Sequence, residues 1–96
     1  MYGTVARVRV KPGGLAELMR LADSVDTIAP GYIGQYVYQM DSDPDELFLV
    51  VMFEDKETYF ANAHDPRQNE RFEQMVPYFA SQPEWHDGEI VYHHHV

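Results

Sequence analysis

Apolar and polar residues alternate along residues 2–11: Thr4, Ala6, Val8 and Val10 fall on one side, and Val5, Arg7, Arg9 and Lys11 on the other. A two-residue period of this kind predicts a β-strand with one apolar face, ended by Pro12-Gly13-Gly14. Over residues 15–29 the period changes. Leu15, Leu18, Ala22, Val25 and Ala29 recur at helical spacing, widened by Leu21 and Ile28, and predict an amphipathic helix lying on a sheet. Glu17 and Arg20, three apart, pair on its polar side, and Pro30-Gly31 stops it. Residues 32–40 predict a second strand, with Tyr32, Gly34, Tyr36, Tyr38 and Met40 on one face and Ile33, Gln35, Val37 and Gln39 on the other. The acidic turn Asp41-Ser42-Asp43-Pro44-Asp45 joins it to a third strand, residues 46–54, in an antiparallel hairpin.

That third strand is apolar on both faces: Leu47, Leu49, Val51 and Phe53 on one, Phe48, Val50 and Met52 on the other. Both faces therefore need cover. The chain has helix enough for one layer only, so the second face is expected to take a second copy of the chain, giving a homodimer formed sheet against sheet. A short helix over residues 56–63 and a longer one from Pro66 to about residue 82 follow. In the longer helix Phe72, Met75, Val76 and Phe79 form the apolar stripe, and Pro77 inside it predicts a kink or an early break. Asp65 is placed to cap that helix, Pro66 sits at its first position, and Gln68 completes a capping box. Residues 83–88 read as a turn and 89–92 as a weakly written last strand. The order is strand, helix, strand, strand, helices, strand. The fold class is thus α+β, a ferredoxin-like β-α-β-β-α-β protomer, with pairing of two protomers closing a dimeric barrel.

Composition narrows the partners. Ninety-six residues make one domain. Seven Lys and Arg against sixteen Asp and Glu give a net charge of −9, which repels nucleic-acid backbones and anionic membrane surfaces alike. There is no cysteine, and so no disulfide, thiol nucleophile or thiolate metal site. No apolar run approaches membrane-spanning length and no signal pattern opens the chain, so a cytoplasmic location is expected. Residues 93–96, His93-His94-His95-Val96, are a native tail or a tag remnant. Adjacent residues in an extended segment point to opposite sides, so the three histidines do not converge on a metal, and no metal is expected.

The segment from Thr4-Val5-Ala6-Arg7-Val8-Arg9-Val10-Lys11-Pro12-Gly13, the Pro30-Gly31-Tyr32 start of the second strand and the Ala63-His64 end of a helix stand in an order and spacing that resembles the antibiotic biosynthesis monooxygenase (ABM) family over nearly the whole chain. The resemblance implies protomers that pair through their sheets, with a pocket between sheet and helices. Some members oxidise phenols or quinols with O₂ and no metal or flavin; others bind and open haem; many have no known activity. The Asn and Trp, four residues apart, that the oxygenating and haem-opening members share fall here on Phe60 and His64, so that pair is absent. The axial histidine of the haem-opening members falls at about Glu73 or Gln74, and no histidine stands between Asp65 and Trp85.

The resemblance therefore implies a cofactor-independent monooxygenase acting on a small phenolic, quinol or polyketide-like aromatic with O₂. Such a reaction needs a water-excluding site, an electron-rich substrate and a base for its hydroxyl. His64, the one histidine within the body of the chain before Trp85, is the candidate base; the alternative is a histidine that caps its helix. Asn62 offers a hydrogen bond to a substrate oxygen. Tyr36, Tyr38, Tyr59, Phe60, Phe72 and Trp85 are the candidate substrate-binding residues, each weighed against simple packing. Arg7 and Arg9 either steer an anion or pair with carboxylates across the dimer. The competing readings are a non-catalytic dimeric module that sequesters a small apolar molecule, and a haem-binding or haem-degrading protein.

Overall fold

The computed structural model describes residues 1–23 and 29–96. The alternation at the start of the chain becomes strand β1 (Tyr2–Arg9), in which Tyr2, Thr4, Ala6 and Val8 are buried while Val5 and Arg7 are exposed. The chain continues through α1 (Gly14–Asp23), β2 (Tyr32–Met40), β3 (Asp43–Phe53), α2 (Lys56–Ala63), α3 (Pro66–Met75), a 3₁₀ turn over Val76–Tyr78, and β4 (Glu84–Glu89). The sheet order is β2-β3-β1-β4 with every neighbouring pair antiparallel, the ferredoxin-like arrangement expected of this element order. Ala6, Val8, Val10, Leu18 and Leu47 form the buried core, with Met19, Leu49, Met75 and Phe79 packed around it. The core thus lies between the sheet and a single helical layer. Residues 24–28 of the expected first helix, with its Val25 and Ile28, lie outside the described residues.

Several expectations need correction. The hairpin turn is only Asp41 and Ser42: β3 begins at Asp43, which pairs with Met40. The register of β2 shifts between Tyr32 and Gly34, so Tyr32 pairs with Phe53 and its ring meets the Phe53 ring at 5.6 Å. Tyr32 therefore belongs to the helix side, not to the face of Tyr36 and Tyr38, because a bulge resets the two-residue count. The last strand is Glu84–Glu89, five residues earlier than expected, where a turn was read. All six of its residues are exposed. An edge strand whose residues all stay exposed carries no apolar alternation to read, and its ladder to β1, from Tyr2–Glu89 to Arg7–Glu84, is what defines it.

The helix ends follow the sequence more closely. Asp65 caps α3 by accepting from the Arg67 N–H at 2.8 Å, with Pro66 at the first helical position. The expected capping box does not form: the Gln68 amide oxygen instead accepts from Arg71 at 3.3 Å. α3 stops at Met75 and Pro77 falls in the 3₁₀ turn, the early break that its missing N–H imposes. Asp55 caps α2 through the Thr58 N–H at 2.8 Å. Gly31 has φ +80°, and a Cβ there would come within 2.4 Å of the Thr58 hydroxyl. This residue both turns the chain into β2 and lets α2 close on that turn.

On the far side of the sheet, Val5, Phe48, Val50, Met52, Tyr36 and Tyr38 share a face that no described helix covers. Val5 is 45% exposed, Tyr36 52% and Tyr38 53%. At one end of that face Arg7 pairs with Glu46 and Glu84, and Arg9 with Asp43 at 2.7 Å. Both arginines find carboxylates within their own chain.

Candidate functional site

Only Glu54 and Asp55 separate the last residue of β3 from α2, so α2 folds back over the sheet end it has just left. There it lies on an aromatic bed. The Tyr59 ring meets Tyr2 at 5.3 Å and Phe53 at 5.6 Å, both edge-on, and Phe60 lies 5.7 Å from Tyr2. The Tyr59 hydroxyl donates to Asp87 Oδ1 of β4 at 2.7 Å. Burial, and then the Asp87 carboxylate that accepts this bond, push the phenol up to about 12. The buried Thr4 hydroxyl lies near the same phenol and opposes that shift, but has no partner at hydrogen-bonding geometry.

A phenol whose folded-state value lies above the ordinary 10 stabilises the fold fully below pH 10, and that contribution is lost as pH rises through about 12. In an absorbance titration at alkaline pH, one of the seven tyrosines should therefore ionise last, and Asp87→Ala should shorten its lag. Burial also raises Tyr32, so the variant is needed to identify the late step. Seven tyrosines ionising together near pH 10 would contradict the Tyr59–Asp87 geometry.

On the other flank of α2, a cleft of about 220 Å³ opens between α2, α3 and the Ala29–Pro30 approach to β2. Thr58, Ala61 and Asn62 line it from α2, and Gln68 and Arg71 from α3. Asp65 also lines it; the Arg67 guanidinium and the Arg67 backbone N–H that it accepts hold its carboxyl below the usual range. A second hollow of about 130 Å³ lies against Val5, Val50 and His86 on the open side of the sheet.

The expected site residues fall into separate groups. Asn62 lines the cleft. His64 is the C-cap of α2, exposed, its backbone N–H donating to the Phe60 carbonyl at 3.0 Å and its ring 6.2 Å from the Phe60 ring. Two residues apart on a helix means about 200° of rotation, so Asn62 and His64 diverge. Tyr59 and Phe60 sit on the aromatic bed. Tyr36 and Tyr38 occupy the open face of the sheet, away from all three helices. Phe72 meets Trp85 at 6.1 Å and Phe79 at 5.7 Å, a cluster joining α3 to β4.

Sequence reasoning missed Asp87, because its strand was read as a turn. It also missed Gln68 and Arg71 as cleft residues, although their spacing of three places them on one side of a helix. Among the described residues no group of three or more His, Asp or Glu side chains gathers as metal ligands, and no helix is long and apolar enough to cross a membrane.

Comparison with known proteins yields one family. The model of the family described as antibiotic biosynthesis monooxygenase matches residues 1–77. No curated protein matches the chain significantly. Among solved structures, a provisionally named antibiotic biosynthesis monooxygenase from Chloroflexus aurantiacus superposes with a TM-score of 0.80 at 23% identity, over 98% of this chain and 96% of that one. A conserved protein from Methanosarcina mazei gives 0.77 at 23% identity, over 91% and 89%. A Caulobacter crescentus protein, again provisionally named for that activity, gives 0.78 at 18% identity, over 95% and 90%. At these identities the structural likeness speaks for the fold.

Proposed function

Because the chain belongs to the antibiotic biosynthesis monooxygenase family, we propose that it oxidises a small phenolic, quinol or polyketide-like aromatic with O₂, drawing the electrons from the substrate itself with no metal or organic cofactor. In the simplest case a ring methylene becomes a carbonyl. The base removes a proton, the resulting anion reduces O₂ by one electron and recombines at carbon as a peroxide, and loss of water leaves the ketone. The net change is one CH₂ and one O₂ to one C=O and one H₂O. The observation that supports this reading is the cleft itself, a hollow with room for a single ring, walled by Ala29, Pro30 and Ala61 on its apolar part and by the Asn62 amide among polar and charged side chains on the rest. In this reading Asn62 holds the substrate oxygen, and His64, at the open end of α2, takes the proton from a substrate that projects past the helix end. Two protomers pair through the open sheet faces and give the sheet its second cover.

Oxygen uptake by metal-free protein with anthrone and a set of hydroquinones tests the proposal. One O₂ per anthrone is expected. His64→Ala should slow turnover by about 10²-fold or more, the usual contribution of a positioned acid–base group, while calorimetry shows the substrate still bound. Binding without uptake across the whole set would make the protein a module that holds small aromatics. A Soret band on adding haemin would favour the haem reading instead.

A further inference from the structure

Four of the five arginines in this acidic chain are paired with carboxylates: Arg7 with Glu46, Arg9 with Asp43, Arg20 with Glu17 and Arg67 with Asp65. Arg71 is the exception. Its guanidinium donates only to the neutral Gln68 side chain, at 3.3 Å, and no carboxylate among the described residues comes within ion-pairing distance. It is half-buried, and it lines the 220 Å³ cleft with Asn62 and Gln68. Among the described residues Lys11 and Lys56 form no ion pair either, but neither lines a hollow; Arg71 is the cation without an ion-paired carboxylate that stands on a cleft wall.

We infer that Arg71 is the recognition point for a single carboxylate on the molecule the cleft takes, so that the substrate is a hydroxylated aromatic monocarboxylate. The inference rests on the proposed function for the oxidation, but not for the binding. A guanidinium fork matches a carboxylate in a planar, two-bond geometry that neutral ligands cannot use. The Asn62 amide can add a further donor, and Ala29, Pro30 and Ala61 supply the apolar wall that an aromatic ring needs. The charge count sets the limit. Asp65 on the same wall pairs with Arg67 and also feels the Arg71 charge. The described lining thus carries two positive charges against one negative, a net of one positive charge in a protein of net charge −9. That balance accepts one negative charge and repels two.

Calorimetric titration of the whole chain with 4-hydroxybenzoate, its methyl ester and phenyl phosphate provides the test. The free acid should bind more tightly than the ester and than the phosphate. Arg71→Gln should weaken the acid by about tenfold to a hundredfold, the range expected for a lost hydrogen bond to a charged group, and leave the ester unchanged. Arg71→Lys, which keeps the charge and loses the fork, should fall between, and Arg20→Gln should change nothing. Circular dichroism verifies the fold of each variant.

Equal binding of acid and ester, acid binding indifferent to Arg71→Gln, tighter phenyl phosphate, or no acid binding would each overturn the assignment. The two readings fail separately. Arg71-dependent acid binding without oxygen uptake removes the oxygenase and leaves this site. Uptake with neutral quinols, together with equal acid and ester binding, does the reverse.

Discussion

Replacing Phe53 by alanine should lower the free energy of unfolding by about 3–5 kcal/mol, the cost of removing a large buried aromatic side chain and leaving its cavity. Phe53 is 2% exposed and stands where three elements meet. Its backbone pairs with Tyr2 of β1 and Tyr32 of β2. Its ring meets Tyr32 and Tyr59 edge-on, each at 5.6 Å. Such contacts contribute about 0.5–1.5 kcal/mol apiece beyond the area they bury, so the loss should lie toward the upper part of the range. A domain of this size is stable by only about 5–15 kcal/mol in total. The urea midpoint should therefore fall far with the slope retained, and the Tm should fall by about 4–8 °C for each kcal/mol lost. A secondary effect identifies the cause. With the bed under α2 hollowed, Tyr59 should lose its firm seat against Asp87, and the late alkaline ionisation should move earlier. A loss below about 1 kcal/mol would mean that the aromatic bed is not packed as described.

The elements that were readable from the sequence are those whose neighbours do not matter to the reading. β1 declares itself by alternation, and from Thr4 to Val8 burial follows it, with Thr4, Ala6 and Val8 buried and Val5 and Arg7 exposed. Asp65-Pro66 declares the start of α3 by local chemistry, and Pro77 its end. What failed depends on pairing at a distance. Alternation puts Tyr32 on the face of Tyr36, and a single bulge between Tyr32 and Gly34 turns it to the other. β4 has no apolar face and exists because β1 offers it an open edge. Losing β4 also hid Asp87, and with it the partner of Tyr59. The sequence offers Asn62 as a hydrogen-bonding candidate beside His64, but the divergence of the two becomes clear only once α2 is seen to run unbroken to Ala63. Arg71 shows the same limit from the other side. That Arg71 has no ion-paired carboxylate among the described residues is recognised only after the other four arginines have been seen to pair.

Val50→Asp should convert a dimer into a monomer while leaving the protomer folded, the second large effect. Val50 lies at the middle of the sheet face that no described helix covers, directly between Val5 of β1 and Tyr36 of β2 in the ladder. With Phe48 and Met52 along the same strand, and Tyr36 and Tyr38 about half exposed, this face is a continuous apolar surface on a protein that otherwise carries a charge of −9. Exposed apolar patches of this kind mark contacts with another molecule, and the ladder gives a second copy the same patch to meet, as a two-fold interface requires. In a free protomer the introduced carboxylate reaches water at little expense, because Val50 is only half-buried. Against a second sheet it would be buried without a counter-ion, facing its own symmetry mate, at a penalty of several kcal/mol. Light scattering at micromolar concentration should give twice the 11.2 kDa chain mass for the native protein and the single mass for the variant, with circular dichroism unchanged. A native protein that is itself monomeric would show that the open face is tolerated by solvent. A variant that remains dimeric would place the interface elsewhere, and the second cover of the sheet would have to come from a different surface of the partner.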